Sequence, residues 1–173
     1  FDLSKINGDI NVRSAKKNEP LELLNGQSVK LSEDTLVIAD EKSAIAIAGV
    51  IGGMDSSTLE DSTDILLESA FFEPVAISGV ARSYGLHTEA SLRFERGVDF
   101  NMTSQAMERA TELVLEVCGG KASKINDCTH SDSLPQIEAI EISQEKISKV
   151  LGFELESSWI ESKFQFLALD FKT

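Results

Sequence analysis

The sequence has 173 residues, enough for one ordinary domain and part of a second. Its net charge of −13 argues against a general nucleic-acid-binding protein, which would carry a basic face, although it leaves room for a protein that touches only the end of an RNA strand. The apolar content of 42% is typical of globular proteins, and no apolar run reaches the roughly 18–20 residues of a membrane span.

The two cysteines, Cys118 and Cys128, are more consistent with free thiols in a reducing cytoplasm than with a disulfide. Two cysteines are also too few for a zinc site, and we expect no metal site in this chain. The first residues lack the basic and apolar regions of a signal peptide. We therefore expect a cytoplasmic protein without membrane contact.

The first forty residues are predicted to be rich in β-structure. Strands are expected at Ile10–Arg13, Leu21–Leu24, Val29–Leu31 and Thr35–Ala39. The pair Asn25-Gly26 between the second and third of these is a strong hairpin signal, because both residues tolerate the positive φ of a tight turn.

The run Ala44–Val50 is small and apolar throughout, which predicts a strand covered on both faces. It leads into Gly52-Gly53, where adjacent glycines indicate either a simple turn or a close approach of the backbone to a ligand. The lysine and the glycine spacing of a phosphate loop are absent. The polar loop at residues 55–64 is expected to be exposed and to serve as a flap.

A strand at Ile65–Leu67 is predicted to end in the carboxylate Glu68. A helix is then predicted from Pro74, which suits a first helical turn, to Tyr84, with Gly85 ending it.

Three arginines, Arg82, Arg93 and Arg96, fall within fifteen residues of one another. Two interpretations stay open: these side chains contact RNA, or they pair with the neighbouring acids Glu89, Glu95 and Asp99.

A second helix is predicted after Asp99, with Asp99 or Asn101 as its cap and Gly119-Gly120 as its end. Its apolar positions recur at helical spacing, which predicts packing against the core. They are Ala106, Ala110, Leu113, Val114 and Val117.

The last part of the chain is predicted to be a linker, residues 123–136, followed by an edge strand at residues 137–142 and a helix from Ser143 to Gly152. This second module stops at Thr173 before it could complete a core, so we expect the sequence to be a piece of a longer protein. The predicted fold class is α+β: a mixed β-sheet domain with packed helices at residues 1–122, plus a truncated small α/β module at residues 137–173.

Three segments carry a family resemblance: IADEKSAIAIAGVIGG, ESAFF, and GLHTEAS followed by RFERGVD. Together with the opening FDLSKINGDINVR, they resemble the beta subunit of bacterial phenylalanyl-tRNA synthetase as far as about Gly120. The resemblance implies an editing domain that hydrolyses tyrosine wrongly esterified to tRNA(Phe), with RNA binding at the acceptor 3′ end. It also implies the synthetase alpha subunit as partner in an alpha2beta2 heterotetramer. No cofactor is expected in this segment, whereas the parent enzyme uses ATP and Mg²⁺.

The same resemblance implies the site residues. Glu68 would read the tyrosine hydroxyl, and Gly52, Thr88 and Ala90 would line the amino-acid pocket. His87 and Thr88 are candidates for the catalytic group, since no nucleophile–base pair is visible. The structural alternatives are that Glu68 pairs with an arginine and that Thr88 only caps a turn.

Two rival functions are kept beside editing. The first is a non-catalytic module that docks the tRNA acceptor end or the alpha subunit. The second is a purely architectural insert. An insert would close the loops around Gly52 and Thr88 on each other without leaving a pocket.

Overall fold

The fold is that of a computed structural model, which describes residues 1–136 and 138–172. The chain forms two compact units, Phe1–Asp127 and a second that begins at Cys128. Antiparallel strands in the first unit and helices in both confirm the predicted α+β class. Among the residues described, no helix combines the length and the apolar character needed to cross a membrane.

Six strands form the first unit's two sheets. They are β1 (Asn11–Ser14), β2 (Glu19–Glu22), β3 (Ser28–Leu31), β4 (Leu36–Ala39), β5 (Ala44–Ile47) and β6 (Ile51–Gly52). The larger sheet has the order β1-β4-β5-β6, and β2 and β3 form a separate hairpin. These pairings are antiparallel, where the sequence predicted a mixed sheet.

Burial follows the sequence pattern of each strand. Strands β2 and β3 alternate buried and exposed residues, whereas β5 is buried at all four positions. The predicted hairpin is confirmed: Asn25 accepts a hydrogen bond from the Gln27 backbone N–H at 3.0 Å, and Gly26 takes a positive φ of 81°. The core of the unit therefore lies between the hairpin and the larger sheet.

The predicted strand over Ala44–Val50 is shorter than expected. It ends at Ile47, and a turn at residues 48–50 reverses the chain into β6. Gly49 has a φ of +66° at the centre of that turn, a conformation that side chains rarely adopt.

We expect Gly53→Ala to destabilise the fold by about 1–3 kcal/mol, the range for forcing extra atoms into a packed site. A Cβ on Gly53 would lie 2.6 Å from the Ile45 carbonyl oxygen, a backbone atom that cannot move aside. The matched control is Gly52→Ala, whose Cβ would meet only the flexible end of Leu24 at 3.1 Å. Urea unfolding of both variants checks this, and equal losses of stability would contradict it.

The first unit contains four α-helices: α1 (Pro74–Ile77), α2 (Val80–Ser83), α3 (Glu89–Phe94) and α4 (Thr103–Cys118). The single helix predicted from Pro74 to Tyr84 is wrong, because Gly79 interrupts it with a φ of +78°. The predicted ending at Gly85 is confirmed by its φ of +68° and by the hydrogen bond from its N–H to the Arg82 carbonyl.

The segment before α1 also departs from prediction. Ile65–Leu67 forms no strand, since its only partner is the short stretch at the start of the chain, where Ile65 bridges Asp2. The loop at 55–64, predicted to be a flap, is tied to that same stretch. Asp2 accepts a hydrogen bond from the Ser62 hydroxyl at 2.6 Å, and this bond is the main cause of the lowered pKa of Asp2.

Helix α4 lies where it was predicted, and Asp99 caps the short 3₁₀ helix that precedes it by accepting a hydrogen bond from the Asn101 N–H. The expected core packing of its apolar stripe is wrong. The helix contains no buried residue, and Val117 is 81% exposed. Helix α4 therefore has an apolar face that no segment in the described part of the chain covers.

The described residues of the second unit form a short 3₁₀ helix at Ser131–Ser133 and two α-helices, α5 (Gln144–Leu151) and α6 (Ser157–Phe166). Helix α5 and its Ser143 cap were predicted, but α6 was not. Of the predicted edge strand, Ile137 lies outside the described residues and residues 138–142 form no strand. The described part of this unit offers them no neighbouring strand, and an edge strand forms only where one is available to pair with it.

Candidate functional site

The start of helix α3 is fastened to the turn between β5 and β6. The Thr88 hydroxyl donates to the Val50 carbonyl oxygen at 2.9 Å and accepts from the Ser91 N–H at 3.0 Å. Thr88 and Ser91 thus form a reciprocal capping box at the helix start. Because the one hydroxyl proton of Thr88 is already donated, its role here is to hold the loop, as the structural alternative proposed.

Two aromatic rings complete this junction. Phe72 and Phe94 pack with their ring centroids 5.4 Å apart, and both lie against Gly49. A Cβ on Gly49 would be 3.1 Å from Phe94, so the absent side chain makes room for the ring. These aromatic contacts were missed in the sequence, since only the fold brings residues 49, 72 and 94 together.

Three of the predicted site residues are grouped around that junction. Ala90 is half-buried in the first turn of α3, two residues after Thr88, and Gly52 follows Val50 by two residues. A chain of two residues spans at most about 7 Å, so Gly52 lies within that distance of the residue that Thr88 binds. The close approaches at Gly52 and Gly53 are made by Leu24 and by the Ile45 backbone, which are parts of the protein itself.

Glu68 lies outside this group of predicted site residues, and its carboxyl has no partner among the described residues. In the described part of the chain its carboxyl makes no hydrogen bond and no ion pair, so pairing with Arg82, Arg93 or Arg96 is wrong as an explanation of this residue. The side chain reaches solvent, yet burial raises the pKa of Glu68, while the Phe1 ammonium opposes that rise. The carboxyl is therefore accessible to a ligand, while the surrounding protein atoms remove part of its hydration.

The connection from Glu68 to the junction is short. Glu68 precedes Phe72, the ring that packs on Phe94 and Gly49, by four residues. No hydrogen bond or ion pair among the described residues joins the Glu68 carboxyl to Gly52, Thr88 or Ala90. A single pocket built from these four residues stays a prediction.

The remaining candidates are on the surface. His87 is exposed and has no hydrogen-bond partner in the described part of the chain. Arg82 and Arg96 are likewise exposed and unpaired there, while Arg93 lies 3.9 Å from Glu89 in an exposed pair of little energetic weight. Of the acids expected to pair with these arginines, Glu95 accepts from the Gly79 N–H, and Asp99 caps the 3₁₀ helix. Both interpretations of the arginines stay open.

Two surface cavities are present elsewhere in the first unit. The larger, of about 520 Å³, lies between the hairpin, the β4–β5 turn and the chain start, with Lys5, Lys42 and Asp55 among its lining residues. The smaller, of about 350 Å³, lies between the hairpin and the end of α2. Neither is lined by Gly52, Glu68, Thr88 or Ala90.

Within the residues described, no group of three or more histidine, cysteine, aspartate or glutamate side chains is arranged to hold a metal ion. Cys118 and Cys128 are free thiols, and both are exposed.

The chain was compared with known protein families. Residues 1–119 match the family described as the B3/4 domain, which is more than half of the sequence. This match covers the strands, the junction at Thr88 and the whole of α4.

Individual relatives extend the match beyond that domain. The phenylalanine–tRNA ligase beta subunit of Acinetobacter baylyi is 51% identical over 160 residues, which are 92% of this chain and 20% of that protein. The beta subunit from Pseudomonas putida is 49% identical over 170 residues, 98% of this chain and 21% of that protein. The chain therefore spans about a fifth of the length of these relatives.

Proposed function

Because the chain belongs to the B3/4 domain family and is similar over most of its length to phenylalanine–tRNA ligase beta subunits, we propose that it is the editing domain of such an enzyme. The substrate is tRNA(Phe) esterified with tyrosine at its acceptor 3′ end, and the reaction is hydrolysis of that ester. The partners are the tRNA and the alpha subunit of the same ligase, and the compartment is the cytoplasm. The parent enzyme uses ATP and Mg²⁺ for aminoacylation, which is separate from this reaction.

Editing is needed because a binding pocket for phenylalanine can reject tyrosine only weakly. Tyrosine differs by one added hydroxyl, and an apolar pocket rejects an added hydroxyl only about a hundredfold. A second site that requires the hydroxyl sorts the two amino acids in the opposite sense. Such a site needs a hydrogen-bond acceptor that phenylalanine would leave unsatisfied, at a cost of roughly 1–3 kcal/mol.

The observation that carries the proposal is the unpaired carboxyl of Glu68. It is accessible, makes no hydrogen bond or ion pair among the described residues, and its pKa is raised by burial. A poorly hydrated carboxylate gains most from the phenolic O–H of tyrosine, because a charge-assisted hydrogen bond replaces missing water. A glutamate kept only for the fold would be expected to have a partner.

The junction at Thr88 supplies the second requirement, a fixed wall for the amino acid. Thr88 holds the β5–β6 turn against α3. Gly52 and Ala90 are assigned to the same wall because the family resemblance implies these positions and because both residues are small. Because the Thr88 hydroxyl already donates its proton to Val50, we assign Thr88 to positioning the loop. His87 stays the candidate for proton transfer. Hydrolysis would then use a water placed by the loop and by the tRNA itself.

The test is deacylation by the whole ligase of isolated tyrosyl-tRNA(Phe) and phenylalanyl-tRNA(Phe), without ATP so that recharging is blocked. We expect the tyrosyl ester to be cleared at least tenfold faster than the phenylalanyl ester, as the cost of one unsatisfied hydrogen bond implies. Equal rates, at the level of spontaneous hydrolysis, would contradict the proposal.

A docking role is the second candidate, and one observation favours it. Helix α4 exposes an apolar face that includes Leu113, 43% exposed, and Val117, 81% exposed. Exposed apolar stripes of this kind mark contact surfaces for other protein segments. A domain that docks through α4 without hydrolysing either ester would fit this candidate.

A further inference from the structure

The smaller cavity is a basic cleft in an otherwise acidic chain. It lies between the turn after β1, the end of β3 and the end of α2, and its volume is about 350 Å³. Its lining residues are Lys17, Asn18, Lys30, Leu31, Ser32, Glu33, Ser83 and Tyr84. Two of the side chains are cationic and one is anionic, whereas the whole chain carries a net charge of −13.

Four polar side chains of this basic cleft have no partner within the described part of the fold, whereas Ser83 and Tyr84 are hydrogen-bonded there. Lys17 and Lys30 are exposed and form no ion pair in the part of the chain that the structure describes. The Asn18 amide and the Ser32 hydroxyl likewise have no hydrogen-bond partner among the described residues. Two ammonium groups, one amide and one hydroxyl are therefore available to donate to a ligand.

The floor of the basic cleft, by contrast, is firmly built. The Tyr84 hydroxyl accepts from the Ser32 N–H at 2.9 Å and bonds the Thr35 hydroxyl at 2.5 Å. The Tyr84 carbonyl accepts from the Gln27 side chain at 3.0 Å. These bonds fix the end of α2 against the hairpin, so the basic cleft keeps its shape when it is empty.

The basic cleft is also close to the proposed editing site. Tyr84 precedes Thr88 by four residues, and four extended residues span at most about 14 Å. A nucleic-acid strand whose terminal ester lies at Thr88 would place one of its last few phosphates at this distance. Arg82, already a candidate for RNA contact, directly precedes the lining residue Ser83.

We propose that this basic cleft binds a phosphodiester of the single-stranded acceptor end of tRNA, with Lys17 and Lys30 neutralising its charge and Asn18 and Ser32 donating to its oxygens. The inference rests on the proposed editing function. The donors of the basic cleft are ammonium, amide and hydroxyl groups, which suit phosphate oxygens. Recognition here is therefore of the backbone and independent of sequence.

The test is deacylation of tyrosyl-tRNA(Phe) by the whole ligase carrying Lys17→Gln and Lys30→Gln together, at several salt concentrations. Each lost contact to single-stranded nucleic acid removes about 0.7 from the slope of log affinity against log salt, so the slope should fall by about 1.4. At about 0.1 M salt this corresponds to a KM raised roughly 25-fold, with kcat unchanged. The variant Lys17→Arg with Lys30→Arg should restore the wild-type values.

The matched control is Lys121→Gln with Lys124→Gln, two exposed lysines outside the basic cleft whose removal changes the net charge equally. An equal effect of both pairs would show general electrostatics and overturn the proposal, as would an unchanged KM and salt slope in the Lys17 and Lys30 variant. Weakened association with the alpha subunit at unchanged tRNA affinity would identify a protein-docking surface instead, and would also overturn it.

Failure of the editing function is distinguishable from failure of this inference. If the wild-type ligase clears no tyrosyl ester, the proposed function is wrong. Direct binding of tRNA(Phe) to the same variants, measured by filter retention across the salt series, then still tests the basic cleft. An unchanged slope there would overturn the inference by itself.

Discussion

Replacing Glu68 by alanine is expected to slow the clearance of tyrosine from tRNA(Phe) by roughly 10- to 100-fold, the equivalent of one lost hydrogen bond to a charged group. The carboxyl is accessible and unpaired among the described residues, so little else depends on it. The measurement is the deacylation rate of tyrosyl-tRNA(Phe) by the whole ligase, with charging of phenylalanine measured beside it and expected to be unchanged.

The matched control is Glu60→Ala, which removes an exposed carboxyl without partners from the polar loop. We expect that variant to clear tyrosine at the wild-type rate. If Glu68→Ala clears tyrosine normally while it remains folded, the hydroxyl is read elsewhere.

Glu68→Gln separates function from stability. Burial raises the pKa of Glu68 in the fold above its unfolded value, so this group's contribution to stability falls as pH rises between the two values. At neutral pH the ionised carboxyl therefore disfavours folding, and the glutamine variant should be no less stable than the wild type. A lower unfolding temperature in the glutamine variant would contradict this and indicate a structural role.

Glu19→Gln is expected to destabilise the first unit by about 3 kcal/mol at neutral pH, the scale implied by a pKa lowered to about 2 from its ordinary 4.5. Glu19 is buried at the start of β2 and accepts two hydrogen bonds from the Arg13 guanidinium, at 2.7 and 2.9 Å. It also accepts from the backbone N–H groups of Lys16 and Ala44. Removing the charge leaves the half-buried Arg13 guanidinium without its ion-pair partner, which costs stability.

The pH dependence of stability gives the same prediction a second readout. Because the pKa of Glu19 is lower in the fold than in the unfolded chain, its contribution is complete above about pH 4.5 and is lost as pH falls toward about 2. The wild type should lose this contribution in that window, and Glu19→Gln should not. Glu22→Gln, an exposed position on the same strand, is the control, and urea unfolding between pH 2 and 7 is the measurement. Parallel acid curves for wild type and Glu19→Gln would contradict the assignment.

The elements that were predicted correctly depend on local signals. Asn25-Gly26 specifies its hairpin through turn geometry, and Gly85 ends α2 through its positive φ. Helix α4 ends at Gly119 as predicted, whereas its predicted cap, Asp99 or Asn101, is wrong: Asp99 caps the preceding 3₁₀ helix, and α4 begins after Met102. In each of these cases the neighbouring residues alone contain the reason for the structure.

The elements that were predicted wrongly depend on distant partners. The apolar period of α4 specifies a helix but cannot say whether another segment covers its face. The alternating pattern at residues 138–142 suits a strand, yet a strand needs a neighbour to pair with. One error has a local cause instead: Gly79 takes a φ of +78° and divides α1 from α2, where a single helix from Pro74 to Tyr84 was predicted.

The candidate site divides in the same way. A capped turn at Thr88 was the alternative to its predicted place in the pocket, and the structure adds the distant acceptor of its hydroxyl, the Val50 carbonyl. Glu68 has no arginine partner among the described residues. The sequence could not predict this, because three arginines follow Glu68 within thirty residues. The packing of Phe72 and Phe94 on Gly49 likewise required the folded chain.

The central claim, that Glu68 accepts a hydrogen bond from the substrate hydroxyl, is tested most directly with an amino acid that keeps the size of tyrosine and lacks the donor. The measurement is hydrolysis by the wild-type ligase of tRNA(Phe) esterified with para-fluorophenylalanine, compared with the tyrosyl and phenylalanyl esters. If the hydroxyl is read, the fluoro ester persists as the phenylalanyl ester does. Clearance as fast as that of tyrosine would show that the pocket reads size, and would contradict the role proposed for Glu68.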